Sequence, residues 1–262
     1  MGMRVHVTGA RGFIGQHLIP ALARAGHELQ PALSGAQAVV HLAGIAHRRA
    51  DVDQLEQSNV RLPERLARQA AAEEAHFMFI SSVQVHGEQS QSPFTERSPI
   101  RPEDAYAESK ARAEEALRAV AGLRLTVLRP PLVYGPGVKA NFLALMRSIA
   151  RGWPLPLAAI DNRRSFIGVG NLVDAIVRSL SIDGTYLVSD GAAVSTPQLC
   201  REIAAALGTR ARLFAFPRAL IPGKLAASLE VDDAAFRRAV RWQPPFTRAQ
   251  GLQATADWYR GR

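Results

Sequence analysis

Tyr106 and Lys110 stand four residues apart in Tyr106-Ala107-Glu108-Ser109-Lys110. On a helix that spacing puts both on one face, so a phenol and an ammonium point into the same cleft. With four Tyr and three Lys in 262 residues, chance would place a Lys four after a Tyr only about 0.05 times. A phenol of pKa ~10 is a poor base at neutral pH, and a nearby ammonium favours the phenolate and lowers that value. The pair can take a proton from a hydroxyl or give one to a ketone. Ser81 and Ser82 close an apolar run that starts at His76. A lone serine at a strand end usually caps a loop. Beside such a pair it can hold the reacting oxygen near the phenol, so Ser82, Tyr106 and Lys110 are the expected catalytic group.

Interconverting a hydroxyl and a ketone also takes a hydride carrier, and the N-terminus offers a seat for one. Val5 and Val7 flank a single His in a short β-branched run. Gly9, Gly12 and Gly15 follow at G-x-x-G-x-x-G spacing, and an apolar-periodic run over residues 13–25 ends at Gly26. The glycines therefore sit where a strand turns into a helix. Gly9 permits the tight turn, Gly12 lets backbone approach a pyrophosphate, and Gly15 lets the helix pack closely on the strand. The helix N-terminus adds free N–H groups and a positive dipole end. Glycines alone are a weak signal; at such a junction they point to a dinucleotide. An oxidised nicotinamide beside Tyr106 would lower its pKa further.

These groups need an α/β chain to position them. Residues 27–30 make a very short second strand before Pro31, and a buried strand begins at Ala38. The spacing predicts a helix over 62–74 with Pro63 in its first turn, a strand over 76–82, a loop over 87–102 and a helix over 103–120. It continues with a strand over 123–129, helices over 141–150 and 171–182, and a strand over 185–188. A helix opened by Ser195-Thr196-Pro197 is stopped by Gly208, and the last helix starts near Thr247. The expected fold is α/β: a Rossmann-type, doubly wound parallel sheet with a smaller C-terminal α/β substrate-binding region. Residues 1–132 plus 165–190 would form the first domain and 133–164 plus 191–262 the second. One anomaly stands out. An acidic residue that holds the adenosine ribose is expected about 20 residues after the glycines, yet none lies between Gln30 and Ala50. Either the adenosine half of the fold is truncated, or the gene encodes residues that this chain lacks.

Composition narrows the class. Hydrophobic content is 47% and charged content 21%, ordinary for a globular enzyme. No apolar run reaches a membrane span and no signal-peptide pattern opens the chain, so a cytoplasmic protein with no membrane partner is expected. The single Cys200 excludes an internal disulfide, and its apolar-periodic helix suggests core packing. The net charge of +9 comes from Arg spread along the chain, with only Lys110, Lys139 and Lys224 as lysines. Nucleic-acid binding would favour a clustered basic stripe with aromatics, so no nucleic-acid partner is expected. Attraction of an anionic small substrate suits the sign of the charge. His41 and His47 have no carboxylate or Cys to complete a metal set, and no metal is expected. Trp242-Gln243-Pro244-Pro245 reads as a turn that packs the last helix.

Taken together, Thr8-Gly9-Ala10-Arg11-Gly12-Phe13-Ile14-Gly15, His41-Leu42-Ala43-Gly44, Ser81-Ser82-Val83-Gln84-Val85-His86-Gly87, Tyr106-Ala107-Glu108-Ser109-Lys110 and Leu128-Arg129-Pro130-Pro131-Leu132-Val133-Tyr134-Gly135-Pro136-Gly137 resemble the extended short-chain dehydrogenase/reductase family. That family includes nucleotide-sugar epimerases, dehydratases and 4-reductases. Residues 129–171 look most like the branch that reduces UDP-4-keto-6-deoxy-N-acetylhexosamines in O-antigen synthesis, often labelled UDP-glucose 4-epimerase-like. The resemblance implies NAD or NADP as cofactor, held by Gly9, Arg11, Gly12, Phe13, Ile14, Gly15, Leu42, Ala43, Gly44, Ser81, Tyr106, Lys110 and Pro130. It implies a nucleotide-sugar substrate met by Ser82, Val83, Gln84, Asn141 and Arg164, the last a guanidinium fork for the diphosphate. It further implies a homodimer through the Tyr106 helix. Three departures are the gap after Gln30, His86 where many members have Tyr, and a short stretch between Ile221 and Leu229. The alternatives are a UDP-sugar 4-epimerase, and a non-catalytic dinucleotide-binding protein, which would have no need of the tyrosine–lysine pair.

Overall fold

Alternation along the central strands decides which face each side chain serves. In β4 (His76–Ile80), Phe77 and Phe79 point to one side of the sheet and Met78 and Ile80 to the other, the period-2 geometry of a strand buried on both faces. The computed structural model describes residues 2–45, 51–217, 220–221 and 223–261; His47 lies outside them. Within that range the chain runs β1 (Arg4–Thr8), α1 (Phe13–Arg24), β2 (Glu28–Gln30), β3 (Ala38–His41), α2 (Val52–Leu55), a π-helical turn (Glu56–Arg61), α3 (Leu62–Ala72), β4, a 3-10 turn (Val83–His86) and α4 (Ala105–Arg118). It continues through β5 (Leu125–Arg129), β6 (Leu132–Tyr134), α5 (Ala140–Ala150), β7 (Phe166–Gly168), α6 (Val169–Arg178), β8 (Gly184–Leu187), α7 (Thr196–Leu207), α8 (Gly223–Ala226), α9 (Ala234–Val240) and α10 (Arg248–Arg260).

A six-stranded, all-parallel sheet has the order β2-β1-β3-β4-β5-β8. Val5, Val40, Met78 and Leu128 pack against Leu18 and Leu22 of α1 and Leu172 and Ile176 of α6. Val39, Phe77, Phe79 and Val127 pack against Ala67 of α3 and Ala113 and Leu117 of α4. Each fully buried Leu or Phe contributes roughly 1.5–3 kcal/mol, so the two faces hold the sheet as a rigid platform. The strand order reverses beside β1, and the ends of β1 and β3 open a crevice at that switch point. A separate core gathers Tyr134, Phe142, Met146, Ile149, Leu199, Cys200, Ile203 and Leu252 around the two-stranded β6–β7 sheet. Among the described residues no helix is long and apolar enough to cross a membrane.

The anomaly after Gln30 has a physical form. β2 pairs with β1 only over Glu28–Gln30 and forms the edge of the sheet. Residues 31–37 then return directly to β3, with the Gln37 N–H donating to the Arg4 carbonyl at 2.8 Å. Among the described residues no helix separates β2 from β3 and no strand pairs beyond β2.

Other elements differ from the spacing-based reading. The helix expected over 62–74 is α3, and it continues an earlier helical stretch that starts at Val52, capped by Asp51, whose carboxylate accepts from the Gln54 N–H at 2.6 Å. Pro63 stands in the first turn of α3 as expected, directly after the π turn. In a regular α-helix its ring would strike the carbonyl of residue 59, and the wide π turn just before it gives the room. Helix α6 spans 169–178 rather than 171–182, and β6 and β7 are too short for their pattern to show. Trp242 packs on Phe236 with ring centroids 5.3 Å apart, and its indole donates to Asp174 of α6 at 2.8 Å. It therefore anchors α6 and not the last helix. The Ser195 cap, the left-handed Gly208 and the Thr247–Gln250 capping box stand as expected.

Candidate active site

Gly9 turns with φ +73°, and a Cβ there would lie 2.7 Å from the Ala43 nitrogen. A Cβ on Gly15 would lie 2.4 Å from the Gly9 carbonyl oxygen. Both glycines are thus required by close backbone approach, one to β3's end and one within the loop. Gly12 is the N-cap of α1 and provides no side-chain cap, so the first N–H groups face outward with the dipole's positive end. Leu42, Ala43 and Gly44 form the opposite wall, with the Ala43 N–H donating to Thr8 Oγ1 at 3.4 Å. An uncapped helix terminus opposite a glycine-lined wall fits the diphosphate of a dinucleotide. Phe13 packs against both cores and Ile14 against the first.

The wall leads straight to the Tyr106–Lys110 pair. A Cβ on Gly44 would stand 3.6 Å from Lys110 Nζ and 3.0 Å from Asn59 Oδ1. Lys110 is buried, donates to the Ile80 carbonyl at 2.9 Å and lies over the Phe79 ring at 4.5 Å. Burial lowers its pKa to about 8, with Glu114 working to raise it. Tyr106 sits one turn before Lys110 on α4, half-buried, with the Ser82 hydroxyl facing its phenol. Ser82 also caps the 3-10 turn, accepting from the Gln84 N–H at 3.2 Å. The capping and the chemical reading of this serine coexist.

One expectation reverses. Tyr106 is pushed up to about 12, by burial first and by Asp104 next, against the Ser82 hydrogen bond, which lowers it. Lys110 was expected to bring the phenol down; its ammonium is engaged by the Ile80 carbonyl and the Phe79 ring, and desolvation dominates.

Two further side chains are turned elsewhere. Ser81 Oγ donates to Glu114 Oε1 at 2.6 Å, so its proton is engaged by α4 and the oxygen is left as an acceptor only. Val83 is buried in an apolar cluster with Leu187, Leu229 and Val231, so it does not face a sugar; Gln84 beside it is partly exposed. Pro130 is buried and accepts from the Val83 N–H at 3.0 Å. Asn141 stands exposed in the first turn of α5. Arg164 donates to the Ala227 carbonyl at 3.1 Å; burial lowers its pKa while Glu88 raises it. A cleft of about 840 Å³ lies near this arginine, between His86, Phe94, Arg101 and Glu103 on one wall and Ala226, Ala227 and Ser228 on the other.

Residue patterning misses Asn59 and the network under Ser81. Asn59 is buried in the π turn, accepts from the Ile45 N–H at 2.8 Å and donates to Ser109 Oγ at 2.9 Å. It ties the Gly44 wall to the catalytic helix. A lone Asn on an apolar helix face is its only sequence signal. Beneath the strand end, Arg129 donates to Glu114 Oε1 from Nε at 2.9 Å and to Oε2 from Nη2. Its Nη1 donates to His86 Nε2 at 3.0 Å, which assigns the imidazole proton to Nδ1, donated to the Pro99 carbonyl at 3.1 Å. Burial works to raise the Glu114 pKa, but Arg129, Ser81 and Arg118 outweigh it and hold the carboxyl below its usual range. Cys200 is buried in the second core and its thiol is pushed up to about 11, as a packing role requires.

Comparison with known proteins agrees with this geometry. A model of the NAD dependent epimerase/dehydratase family matches residues 29–185. A UDP-glucose 4-epimerase of Vibrio cholerae is 32% identical over 313 residues, covering 98% of this chain and 95% of that protein; an alignment longer than the 262-residue chain means this chain carries deletions relative to it. A GDP-6-deoxy-D-mannose reductase of Pseudomonas aeruginosa is 28% identical, covering 98% of both chains. The solved structure of RMD from Pseudomonas aeruginosa complexed with NADPH superposes with a TM-score of 0.86 at 27% identity, over 100% of this chain and 99% of that one.

Proposed function

The chain belongs to the NAD-dependent epimerase/dehydratase family, and from that premise we propose that it reduces a 4-keto nucleotide sugar, with a UDP-4-keto-6-deoxy-N-acetylhexosamine of surface-polysaccharide synthesis as the substrate class. It is an NAD(P)-dependent enzyme of the nucleotide-sugar epimerase and reductase kind. The observation that carries the reading is geometric: the Tyr106 phenol faces the Ser82 hydroxyl one helical turn before Lys110, so a carbonyl oxygen set between the two hydroxyls can take a proton as it is reduced. The reductive direction is supported by the likeness to the GDP-6-deoxy-D-mannose reductase of Pseudomonas aeruginosa along 98% of the chain.

When bound, NAD(P)H supplies the hydride for C4. Gly9, Gly12 and Gly15 with the α1 terminus would hold its pyrophosphate, and Leu42, Ala43 and Gly44 would line it. Tyr106 gives its proton to O4 as that oxygen becomes a hydroxyl, while the Ser82 hydroxyl steadies the same oxygen. Lys110, fixed by the Ile80 carbonyl, keeps a positive charge beside the site while protonated, which favours negative charge developing on O4. Arg164 supports the reading as a guanidinium suited to the diphosphate.

A second reading, UDP-sugar 4-epimerase, is favoured by the 32% identity to the Vibrio cholerae enzyme along nearly the whole chain. One assay separates the two. The purified chain is incubated with a reduced nicotinamide dinucleotide and a 4-keto nucleotide sugar, then with UDP-hexoses and oxidised cofactor. Cofactor consumed in step with 4-keto substrate supports the reductase. Interconversion of two 4-hydroxyl epimers without net consumption overturns it in favour of the epimerase.

A further inference from the structure

We propose that the face carrying Trp153, Phe214 and Phe216 docks this chain on an anionic phospholipid surface, with the three rings entering the headgroup layer and the arginines around them meeting lipid phosphates. The face lies over the second core, and the proposal does not depend on the reductase reading. Three observations carry it.

The first is how the rings come to stand outside. Leu155 and Leu213 pack against the second core and meet in an isolated parallel bridge. The Leu155 N–H donates to the Arg212 carbonyl at 2.8 Å, and the Phe214 N–H donates to the Leu155 carbonyl at 3.0 Å. Side chains alternate along such an extended segment. With Leu213 inward, Arg212 and Phe214 point out, and the Phe216 ring meets the Phe214 ring edge to face at 6.3 Å. Arg212 Nη1 donates to the Gly152 carbonyl at 3.4 Å, which sets Trp153 beside this strip. Trp153, Phe214 and Phe216 are 54%, 43% and 36% exposed. Large apolar rings gathered in the open mark a contact surface, where single scattered ones would not.

The second is the charge around the rings. Residues 139–160 hold Lys139, Arg147 and Arg151, residues 203–229 hold Arg210, Arg212, Arg218 and Lys224, and neither stretch has an Asp or Glu. Of the acids that follow or precede them, Glu202 is held by Arg248 and Glu230 by Arg163, which leaves Asp161. Arg151, Arg210 and Arg212 are exposed. Among the described residues none of these three pairs with a carboxylate. The two stretches that carry the rings therefore concentrate positive charge that nothing in the chain neutralises.

The third is how closely the two kinds of group are set. The Arg151 guanidinium lies over the Trp153 ring, 5.3 Å from its centroid, and Arg212 leaves the same strip on the same side as Phe214. Guanidinium beside aromatic ring suits a boundary where phosphate charge lies directly above acyl chains. A second copy of this face would set arginine against arginine, whereas an anionic headgroup layer attracts each one. The expectation of no membrane partner came from the lack of an apolar run long enough to cross, and a peripheral contact asks for none.

The test is binding of the whole chain to vesicles of phosphatidylcholine alone and of phosphatidylcholine mixed with phosphatidylglycerol, read by co-sedimentation. The mixed vesicles should bind it and the neutral ones should not. Each cation near an anionic surface is worth about fivefold in affinity, so Arg151→Gln/Arg210→Gln/Arg212→Gln should bind on the order of 100-fold more weakly. Phe214→Ser/Phe216→Ser should lose about tenfold or more. Both variants change exposed side chains, and thermal melts check that they fold. Raising the salt from about 0.1 M to about 1 M cuts the screening length from about 10 Å to about 3 Å and should release most of the bound chain. Tryptophan emission should move to the blue on binding, and should not in Trp153→Phe. No binding to the mixed vesicles at the lower salt overturns the proposal. Binding that both folded variants keep overturns its placement on this face. Equal binding to phosphatidylcholine alone overturns the role of charge. A dimer that Phe214→Ser/Phe216→Ser takes apart assigns the face to a second copy and overturns the lipid occupant.

Discussion

Replacing Glu114 by Gln keeps the shape of the side chain and removes one charge from a place that has no water to replace it. Glu114 is 1% exposed and Arg129 3%. The carboxylate takes both prongs of the Arg129 fork, the Ser81 hydroxyl at 2.6 Å and Arg118 Nη2 at 2.7 Å. An amide has one oxygen to accept with and an NH2 that must face another donor. Arg129 would then be a buried cation with one neutral amide oxygen and the His86 nitrogen to accept from it. Breaking a buried pair from one side costs about 3–5 kcal/mol. For a chain of this size each kcal/mol lowers Tm by about 2–4 °C, so Glu114→Gln should melt roughly 6–20 °C lower. The double variant Glu114→Leu/Arg129→Met leaves no charge stranded and should regain most of that loss. Its activity should not follow. Glu114 raises the pKa of Lys110 against burial, and without it the ammonium gives up its proton at lower pH. The limb near pH 8 in a profile of kcat/KM should move toward acid in both variants. Urea unfolding measures the first effect and the pH profile the second. A Glu114→Gln chain within 1 kcal/mol of wild type, or a double variant less stable than either single one, would refute the account of the buried pair.

Three further outcomes follow from the geometry. Tyr106→Phe should lower kcat by a factor on the order of 100 to 10,000 with cofactor affinity nearly unchanged; a variant with full activity would end the catalytic reading. Gly15→Ala drives a Cβ to 2.4 Å from a carbonyl oxygen and should cost about 1–3 kcal/mol and weaken dinucleotide binding, while Gly26→Ala, at φ +79° with open space around it, should cost only about 1–2 kcal/mol and leave binding intact; equal binding losses would show that the loop does not depend on close approach. His41 and His76 are buried, which lowers their pKa values from 6.5 to about 3 and about 4. The unfolded chain binds protons there that the native one refuses, so their contribution is whole above pH 6.5 and falls as the pH drops toward 4, by up to about 1.4 kcal/mol per pH unit for each histidine. Urea midpoints from pH 7 to 4.5 should show a slope shallower by about one proton in His41→Gln, and an unchanged slope would show that His41 titrates in the native state.

Which parts of this molecule could be read from its residues depends on how local the deciding physics is. Gly9, Gly15, Tyr106 and Lys110 are legible because their roles follow from spacing along one turn or one helix: a positive φ, a missing Cβ, an i to i+4 face. Ser195, Gly208 and Thr247 mark helix ends for the same reason. The sense of the Tyr106 shift is not legible, because it is set by how much of α4 the sheet buries, and an ammonium four residues away cannot reveal that it is bonded to a carbonyl thirty residues upstream. Ser81 and Ser82 look equivalent in sequence. The pleat sends one hydroxyl to a carboxylate on α4 and the other to the phenol on the same helix, and only the register of β4 against β5 decides which. Pro63 marks the first turn of α3 but does not reveal the π turn before it, since proline in a first turn and proline after a π turn have the same local signature. The wide turn that admits it is also what brings Asn59 inward to hold the Gly44 wall against the catalytic helix. The gap after Gln30 is the opposite case. It is plain in the sequence as a missing carboxylate, and the structure gives it a shape: an edge strand of three residues paired with β1 alone. Beside that short edge the switch point between β1 and β3 is whole, because Gly9 lies against Ala43 and Gly44 lies against Lys110 and Asn59, contacts that do not involve β2.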